Sequence, residues 1–173
     1  VGSEMCIRDS HSLYAREDGN YINQLRVSVD GLDPARLRQA WQDLLDQHPI
    51  LRSGFASDAD QPVQVVQRRV ELPCVEIDAR AQADQGNWLD DWARSERDKG
   101  FELAHGPLLR VALIRTGDPR HELIYTSHHI LMDGWSSSRM LGEVLQRYAG
   151  QVPARQGSQY RDYIHWLPVS YTH

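Results

Sequence analysis

Apolar and polar residues change their period several times along this chain, and each change marks an element. Between Tyr21 and Asp30, Ile22, Leu25, Val27 and Val29 are interleaved with polar residues, a pattern close to period two that predicts a strand. Asp33-Pro34 then opens a helix, with Asp as N-cap and Pro in the first turn. Leu37, Ala40, Trp41, Leu44 and Leu45 recur at helical spacing as its core stripe. His48-Pro49 ends that helix, and Ile50 to Phe55 follow as a short extended piece. Val63 to Val70 and Cys74 to Ile77 read as two further short strands. Gly86 to Lys99 reads as a helix with Trp88, Leu89, Trp92 and Ala93 on one side.

Two apolar strands follow, Leu108 to Arg115 and Glu122 to Thr126, separated by the turn Thr116-Gly117-Asp118-Pro119-Arg120. Ser136 to Tyr148 is a second amphipathic helix and Ser158 to Trp166 a third, short one. Strands and helices interleave, which predicts an α/β sandwich with helices packed against a mixed sheet. There is no internal repeat and no low-complexity linker.

Composition narrows the function classes. The net charge is −5 and no Lys/Arg cluster occurs, which argues against nucleic acid as the main partner. No apolar run approaches the roughly 18 residues that a membrane-spanning helix requires. The two ends look foreign to the rest. The bases GTG GGC TCG GAG ATG TGT ATA AGA GAC encode Val1 to Asp9, and the reverse complement of the same element, GTC TCT TAT ACA CAT, encodes Val169 to His173. One element read in both directions resembles a sequencing-library adapter, so residues 1–10 and 168–173 are set aside from fold reasoning. The stretch 11–167 is long enough for one core and is expected to be incomplete at both ends. It holds one cysteine, Cys74, so a disulfide framework and a CxxC metal pair are not expected, and a reduced, cytoplasmic setting fits.

The chemistry concentrates in His128-His129-Ile130-Leu131-Met132-Asp133-Gly134, between the strand that ends near Thr126 and the helix that begins near Ser136. A strand end feeding a loop is where a scaffold displays reactive side chains. A neutral imidazole there can take a proton near pH 7, and a nearby carboxylate can order its surroundings. As bare spacing, HHxxxDG is common. A His-His metal site lacks a third ligand at metal-site spacing, so no metal is expected.

The flanks are more specific. His48-Pro49-Ile50-Leu51-Arg52-Ser53-Gly54-Phe55, then Phe101-Glu102-Leu103 with Gly106-Pro107-Leu108-Leu109-Arg110, then HHILMDGWS from His128 to Ser136, then Tyr160-Arg161-Asp162-Tyr163-Ile164-His165-Trp166 occur in this order. Together they resemble the N-terminal half of a nonribosomal peptide synthetase condensation domain. The first segment is similar to that family's RHExLRTxF motif, from which Pro49, Ser53 and Gly54 depart. The last is similar to YxDYAxW. The resemblance implies a chloramphenicol-acetyltransferase-like two-layer α/β sandwich, one subdomain (11–167) of a V-shaped pair. The active site would lie between the two halves, and carrier-bound substrates would enter a tunnel from opposite faces.

The implied reaction is amide formation between a donor aminoacyl or peptidyl thioester and the α-amine of an acceptor aminoacyl thioester. The thioester already carries the activation, so no cofactor is expected to be bound by this domain. The substrates would ride on the phosphopantetheine arms of upstream and downstream peptidyl carrier domains, with an adenylation domain and the second condensation subdomain in the same polypeptide. His11-Ser12-Leu13-Tyr14 and Asp18-Gly19-Asn20-Tyr21 resemble the subtype that accepts a D-configured donor. A related HHxxxDG acyltransferase or epimerization domain is the alternative reading, and a non-catalytic recruitment module the third.

The resemblance implies roles at each position. His129 is the expected catalytic residue, either taking the amine proton or holding the amine and the tetrahedral intermediate in place. His128 is expected to shape the loop. Asp133 and Arg52 are expected to pair and lock the active site, because a buried carboxylate and guanidinium are costly apart. Gly134 is expected to allow close approach of the thioester arm or a positive φ. Trp135 is read as tunnel wall or core. Ser136 is read as the N-cap of the following helix rather than a nucleophile, since it stands in no G-x-S-x-G elbow.

Overall fold

A computed structural model describes residues 21–58 and 61–151 of the chain. The expected helix at Ser158 to Trp166, the motif at Tyr160 to Trp166 and the His11 to Asn20 segment lie outside the described residues. In chain order the elements are β1 (Ile22–Asp30), α1 (Pro34–Gln47), a 3-10 turn (Pro49–Arg52), β2 (Ser53–Asp58), β3 (Gln61–Val66), β4 (Cys74–Asp78), α2 (Gln85–Asp98), β5 (Leu109–Arg115), β6 (Arg120–His128) and α3 (Gly134–Tyr148). No helix among the described residues is long and apolar enough to cross a membrane.

Four strands form one mixed sheet in the order β1-β6-β5-β4. β1 and β5 flank β6 antiparallel, and β4 runs parallel to β5. A parallel pair needs a crossover, and α2 supplies it. Its apolar side, Leu89 and Ala93 with Trp88 and Trp92 at the rim, packs on Ala79, Ala112, Ile114 and Ile124. The opposite sheet face carries α1 and α3. There Leu37, Ala40, Trp41, Leu44 and Leu45 meet Leu109, Val111, Leu113 and Tyr125 from the sheet and Met140 and Val144 from α3. Trp41 is fully buried and stacks on Tyr125, ring centroids 5.1 Å apart. Each buried Leu in this cluster contributes roughly 2 kcal/mol of transfer free energy. The α/β class and the mixed sheet are those expected. The sandwich is fuller than two layers because the β4-α2-β5 crossover covers the second face.

α1 begins where its sequence indicates. The Asp33 carboxylate accepts the Arg36 N–H at 3.1 Å, Pro34 occupies the first turn, and His48 closes the end through its N–H to the Leu44 carbonyl. The His48 ring then reaches α3, with Nε2 2.9 Å from a Glu143 oxygen that also accepts from Arg147. Residues 50–52, expected to begin an extended piece, fall in the 3-10 turn Pro49–Arg52 instead, since Pro49 pre-sets the φ of a first turn.

β2 and β3 form a separate two-stranded ribbon, with Ser53 opposite Val66. β3 stops at Val66 rather than running to Val70, and Arg52 supplies the reason. Its guanidinium donates to the main-chain carbonyls of Leu45 (2.9 Å), Gln67 (2.5 Å) and Arg68 (2.9 Å), turning the chain out of the ladder. The ribbon docks on the segment after α2 through two glycines. A Cβ on Gly54 would stand 2.5 Å from the Ala104 carbonyl oxygen, and one on Gly106 would stand 2.6 Å from that of Ser53. The Phe55 N–H donates to the Leu103 carbonyl at 2.6 Å. Both obstacles are main chain and cannot swing aside, so only glycine lets the two segments meet.

Candidate active site

β6 runs two residues further than its apolar pattern indicates. His128 still pairs, opposite Ile22 of β1, and its N–H donates to the Leu108 carbonyl at 3.0 Å. His129 is the first residue past the strand, tied by its N–H to the Tyr21 carbonyl at 2.7 Å. The two histidines therefore leave the sheet with their main chain held on both sides. Ile130 and Leu131 then turn into the α1/α3 core, where both are buried, and they anchor the loop from the opposite face.

The His128 ring is buried at 7 % exposure. It stacks on Tyr21, ring centroids 6.2 Å apart, and meets Phe101 at 6.5 Å with the planes at 88°. Its Nδ1 accepts the Ile130 N–H at 3.1 Å, which places the ring proton of a neutral imidazole on Nε2. Burial, with the charge of His129 as a smaller contribution, pushes its pKa down to about 4. A neutral ring with one nitrogen spent on the loop main chain has the geometry of a loop-shaping residue. His129 is half-buried, and its Nδ1 is enclosed without a hydrogen-bond partner among the described residues. A buried ring nitrogen without a partner normally costs free energy, and an enclosed Nδ1 has no open surface for a substrate group, so that contact requires the ring to turn.

Asp133 is the N-cap of α3. Its carboxylate accepts the Ser136 N–H at 2.7 Å, so the helix starts at Gly134, two residues earlier than expected. Ser136 sits inside the first turn as the capped residue, not the cap. The expected partnership of Asp133 with Arg52 is corrected by the structure, because the Arg52 guanidinium donates to main-chain carbonyls near the base of the β2-β3 ribbon. Three carbonyls take its Nε and Nη1 donors and hold it there. Gly134 is not among the positive-φ glycines, and a Cβ there would meet nothing within 4 Å. The positive-φ reading therefore falls, while the open approach to the helix start stands. Trp135 is 78 % exposed and so is not core among the described residues.

The structure surrounds the histidines with groups to which the sequence pattern assigned no role: Tyr21, Phe101 and, behind Phe101, Arg110. Phe101 and Arg110 lie in one of the matched motifs, which was the available signal. Tyr21 precedes Ile22, whose pairing with His128 only the register reveals. No group of three or more metal-ligating side chains occurs among the described residues.

A family model described as "Condensation domain" matches residues 10–171. The chain belongs to the condensation domain family. It is 36% identical over 165 residues to a linear gramicidin synthase of Brevibacillus parabrevis, covering 91% of this chain and 3% of that one. It is also 37% identical over 157 residues to chondramide synthase cmdD of Chondromyces crocatus, covering 85% of this chain and 4% of that protein. Among solved structures, the starter condensation domain of rhizomide synthetase RzmA superposes with a TM-score of 0.82 at 21% identity, over all of this chain and 43% of that one. The tallysomycin biosynthesis protein TlmII does so with a TM-score of 0.76 at 24% identity, over 90% of this chain and 39% of that one. These likenesses show the fold. The chain spans a few per cent of the synthetases it matches and less than half of those solved chains.

Proposed function

We propose that this condensation domain segment carries one wall of a site that forms an amide bond between two carrier-borne substrates. In that reaction the acceptor α-amine nitrogen attacks the donor thioester carbonyl carbon. A tetrahedral intermediate forms and collapses with cleavage of the C–S bond, the donor arm leaves as a thiol, and the amine nitrogen gives up one proton. The observation that carries the reading is the HHxxxDG loop of a condensation domain family member, in which half-buried His129 stands just past β6 with its N–H on the Tyr21 carbonyl, beside a histidine that is itself kept neutral and tied to the loop.

On this reading His129 receives the amine proton or holds the amine in line, each being a positioned imidazole effect worth orders of magnitude. His128 fixes the loop main chain through Ile130. Asp133 caps α3 and so fixes the loop's far end. The open space at Gly134 suits a thin arm such as phosphopantetheine, with Trp135 and Ser136 beside it. The partners on this reading are two carrier domains, an adenylation domain and the second condensation half, working in the cytoplasm. The domain itself binds no cofactor, since the arms bring the activated substrates.

The deciding experiment uses a complete condensation domain with these residues, loaded donor and acceptor carriers, and His129→Ala. Amide formation is expected to fall at least 100-fold with an unchanged circular dichroism spectrum and melting temperature. Full activity in the folded variant would remove His129 from the chemistry.

A further inference from the structure

We propose that Arg110 and Glu96 are positioning residues for the histidine pair. Through Phe101 they hold the His128 ring in place, and with it the loop that presents His129. The inference rests on the role given to His129 above and adds two residues that touch neither substrate nor histidine.

Arg110 lies on β5 and Glu96 in the last turn of α2. The guanidinium is committed on every side. Nε donates to Glu96 Oε2 at 3.0 Å, Nη2 to the Glu96 carbonyl at 2.7 Å, and Nη1 to the Gly100 carbonyl at 2.7 Å. Those two carbonyls belong to the end of α2 and the turn after it, where a helix leaves acceptors unpaired. The fork therefore closes the helix end and sets the plane of the guanidinium. Glu96 is 8 % exposed, and its carboxylate also accepts from Lys99 Nζ at 2.5 Å. Burial alone would raise its pKa, but Lys99 and Arg110 outweigh burial and hold it below the ordinary value, so it stays charged.

Gly100, at φ +57, turns the chain so that Phe101 comes back over the guanidinium, 4.0 Å from ring centroid to the central carbon. That is well inside the range of a cation–π contact. Phe101 in turn meets the His128 ring nearly at right angles, while Tyr21 stacks on that ring as well. Between these two aromatics the imidazole keeps its Nδ1 on the Ile130 N–H. A rotated His128 would break that bond and release the residue after His129. A buried ion pair can often be replaced by apolar side chains without loss of stability, so stability alone does not call for one here. A three-donor fork does what an apolar pair cannot: it fixes the angle of the ring stacked on it.

The test combines spectra and turnover for Arg110→Met and Arg110→Lys. In the full chain, the ring protons of His128 are followed by NMR, since they lie in the ring currents of Phe101 and Tyr21. Both Arg110 variants are expected to displace these resonances, Lys because it keeps the charge but loses the fork. In a complete condensation domain, kcat for amide formation is expected to fall about tenfold while KM for the acceptor carrier holds within twofold, as misplacement of a catalytic group predicts. Unmoved His128 resonances in folded Arg110→Met, or a kcat loss no larger than the loss of folded protein, would overturn the proposal. Should Arg110→Met fail to fold, Arg110→Lys decides, because it keeps the charge and both aromatic rings while losing the fork, and unmoved His128 resonances in it would overturn the proposal. The spectra need no turnover. If His129→Ala proved fully active, the role of His129 would fall while the His128 resonances still decided whether Arg110 positions the ring.

Discussion

The two faces of the mixed sheet are built from different materials. On the α1/α3 face, Leu109, Val111, Leu113 and Tyr125 meet a continuous apolar stripe of two helices. On the α2 face the apolar patch is small, Ala79, Ala112, Ile114 and Ile124 under Leu89 and Ala93, and toward β1 it gives way to polar groups. There the Gln24 side chain donates to the Ala93 carbonyl and to Thr126 Oγ1. Arg26 bridges Glu122 and Asp90, and Ser28 donates to buried Glu122. His128 continues the same strand-face row as Ile124 and Thr126, since alternate residues of β6 share a face. The histidine loop thus starts on the polar face and ends in the apolar core at Ile130 and Leu131. One face contributes mass burial, which is strong and tolerant of angle. The other contributes directed bonds, which are weaker and fix orientation.

If that division holds, the largest stability loss comes from the apolar face. Trp41→Ala removes a fully buried ring and its stack on Tyr125 and is expected to cost about 3–5 kcal/mol. A denaturant titration followed by circular dichroism reads it as a large drop in midpoint. A loss under about 1 kcal/mol would mean that α1 is not the main support of the sheet.

The next effect is a pH dependence from the polar face. His128 has its folded pKa pushed down to about 4, against about 6.5 when unfolded. The unfolded chain therefore binds the proton more readily in between. The stability that neutral His128 contributes is fully present above about pH 6.5 and is lost as the pH falls toward 4, by up to about 3 kcal/mol. Urea midpoints measured at pH 7, 5.5 and 4.5 should fall in that order, and His128→Phe should flatten the slope. An equally steep slope in His128→Phe would assign it to other groups.

Sequence legibility follows the same division. α1 could be read to the residue, because its cap, its proline and its stripe are all local signals that agree. The α/β order could be read too, since the period of the pattern carries it. The parts that were missed depend on distant partners. The extra pair at the end of β6 requires Ile22 beside it. The early stop of β3 requires the Arg52 guanidinium on Gln67 and Arg68, and the same contacts answer for Arg52 and Asp133 not being found as a pair. Asp133 and Ser136 are both good caps three residues apart, and only the direction of one hydrogen bond decides between them. The motif located the histidines. It said nothing of Tyr21 or Glu96, which enclose or brace them through space.

A smaller effect tests the directed bonds alone. Glu122 is 6 % exposed, and its two oxygens separately accept from Arg26 and Ser28. Glu122→Gln keeps size and one acceptor but removes the charge, and is expected to cost about 1–2 kcal/mol. Hydrogen exchange should show the loss chiefly as faster exchange in β1 and α2, with the α1 amides slowed as before. Uniform acceleration throughout the chain would show that the two faces unfold as one unit and that their separation has no energetic meaning.

The smallest effect falls where the loop crosses between the faces. Asp133 caps α3 by accepting the Ser136 N–H, and α3 carries Met140 and Val144 into the apolar core. Asp133→Ala removes the cap and is expected to cost about 1 kcal/mol, visible as a drop in melting temperature of a few degrees. Asp133→Asn, which caps about as well, should recover part of it. The two variants separate the cap from the charge. If Asn recovers the stability but not the amide-forming rate, the carboxylate acts on the loop beyond its hydrogen bond to Ser136. If both recover together, capping accounts for Asp133, and its place in the HHxxxDG spacing reflects the need to cap α3 four residues after His129.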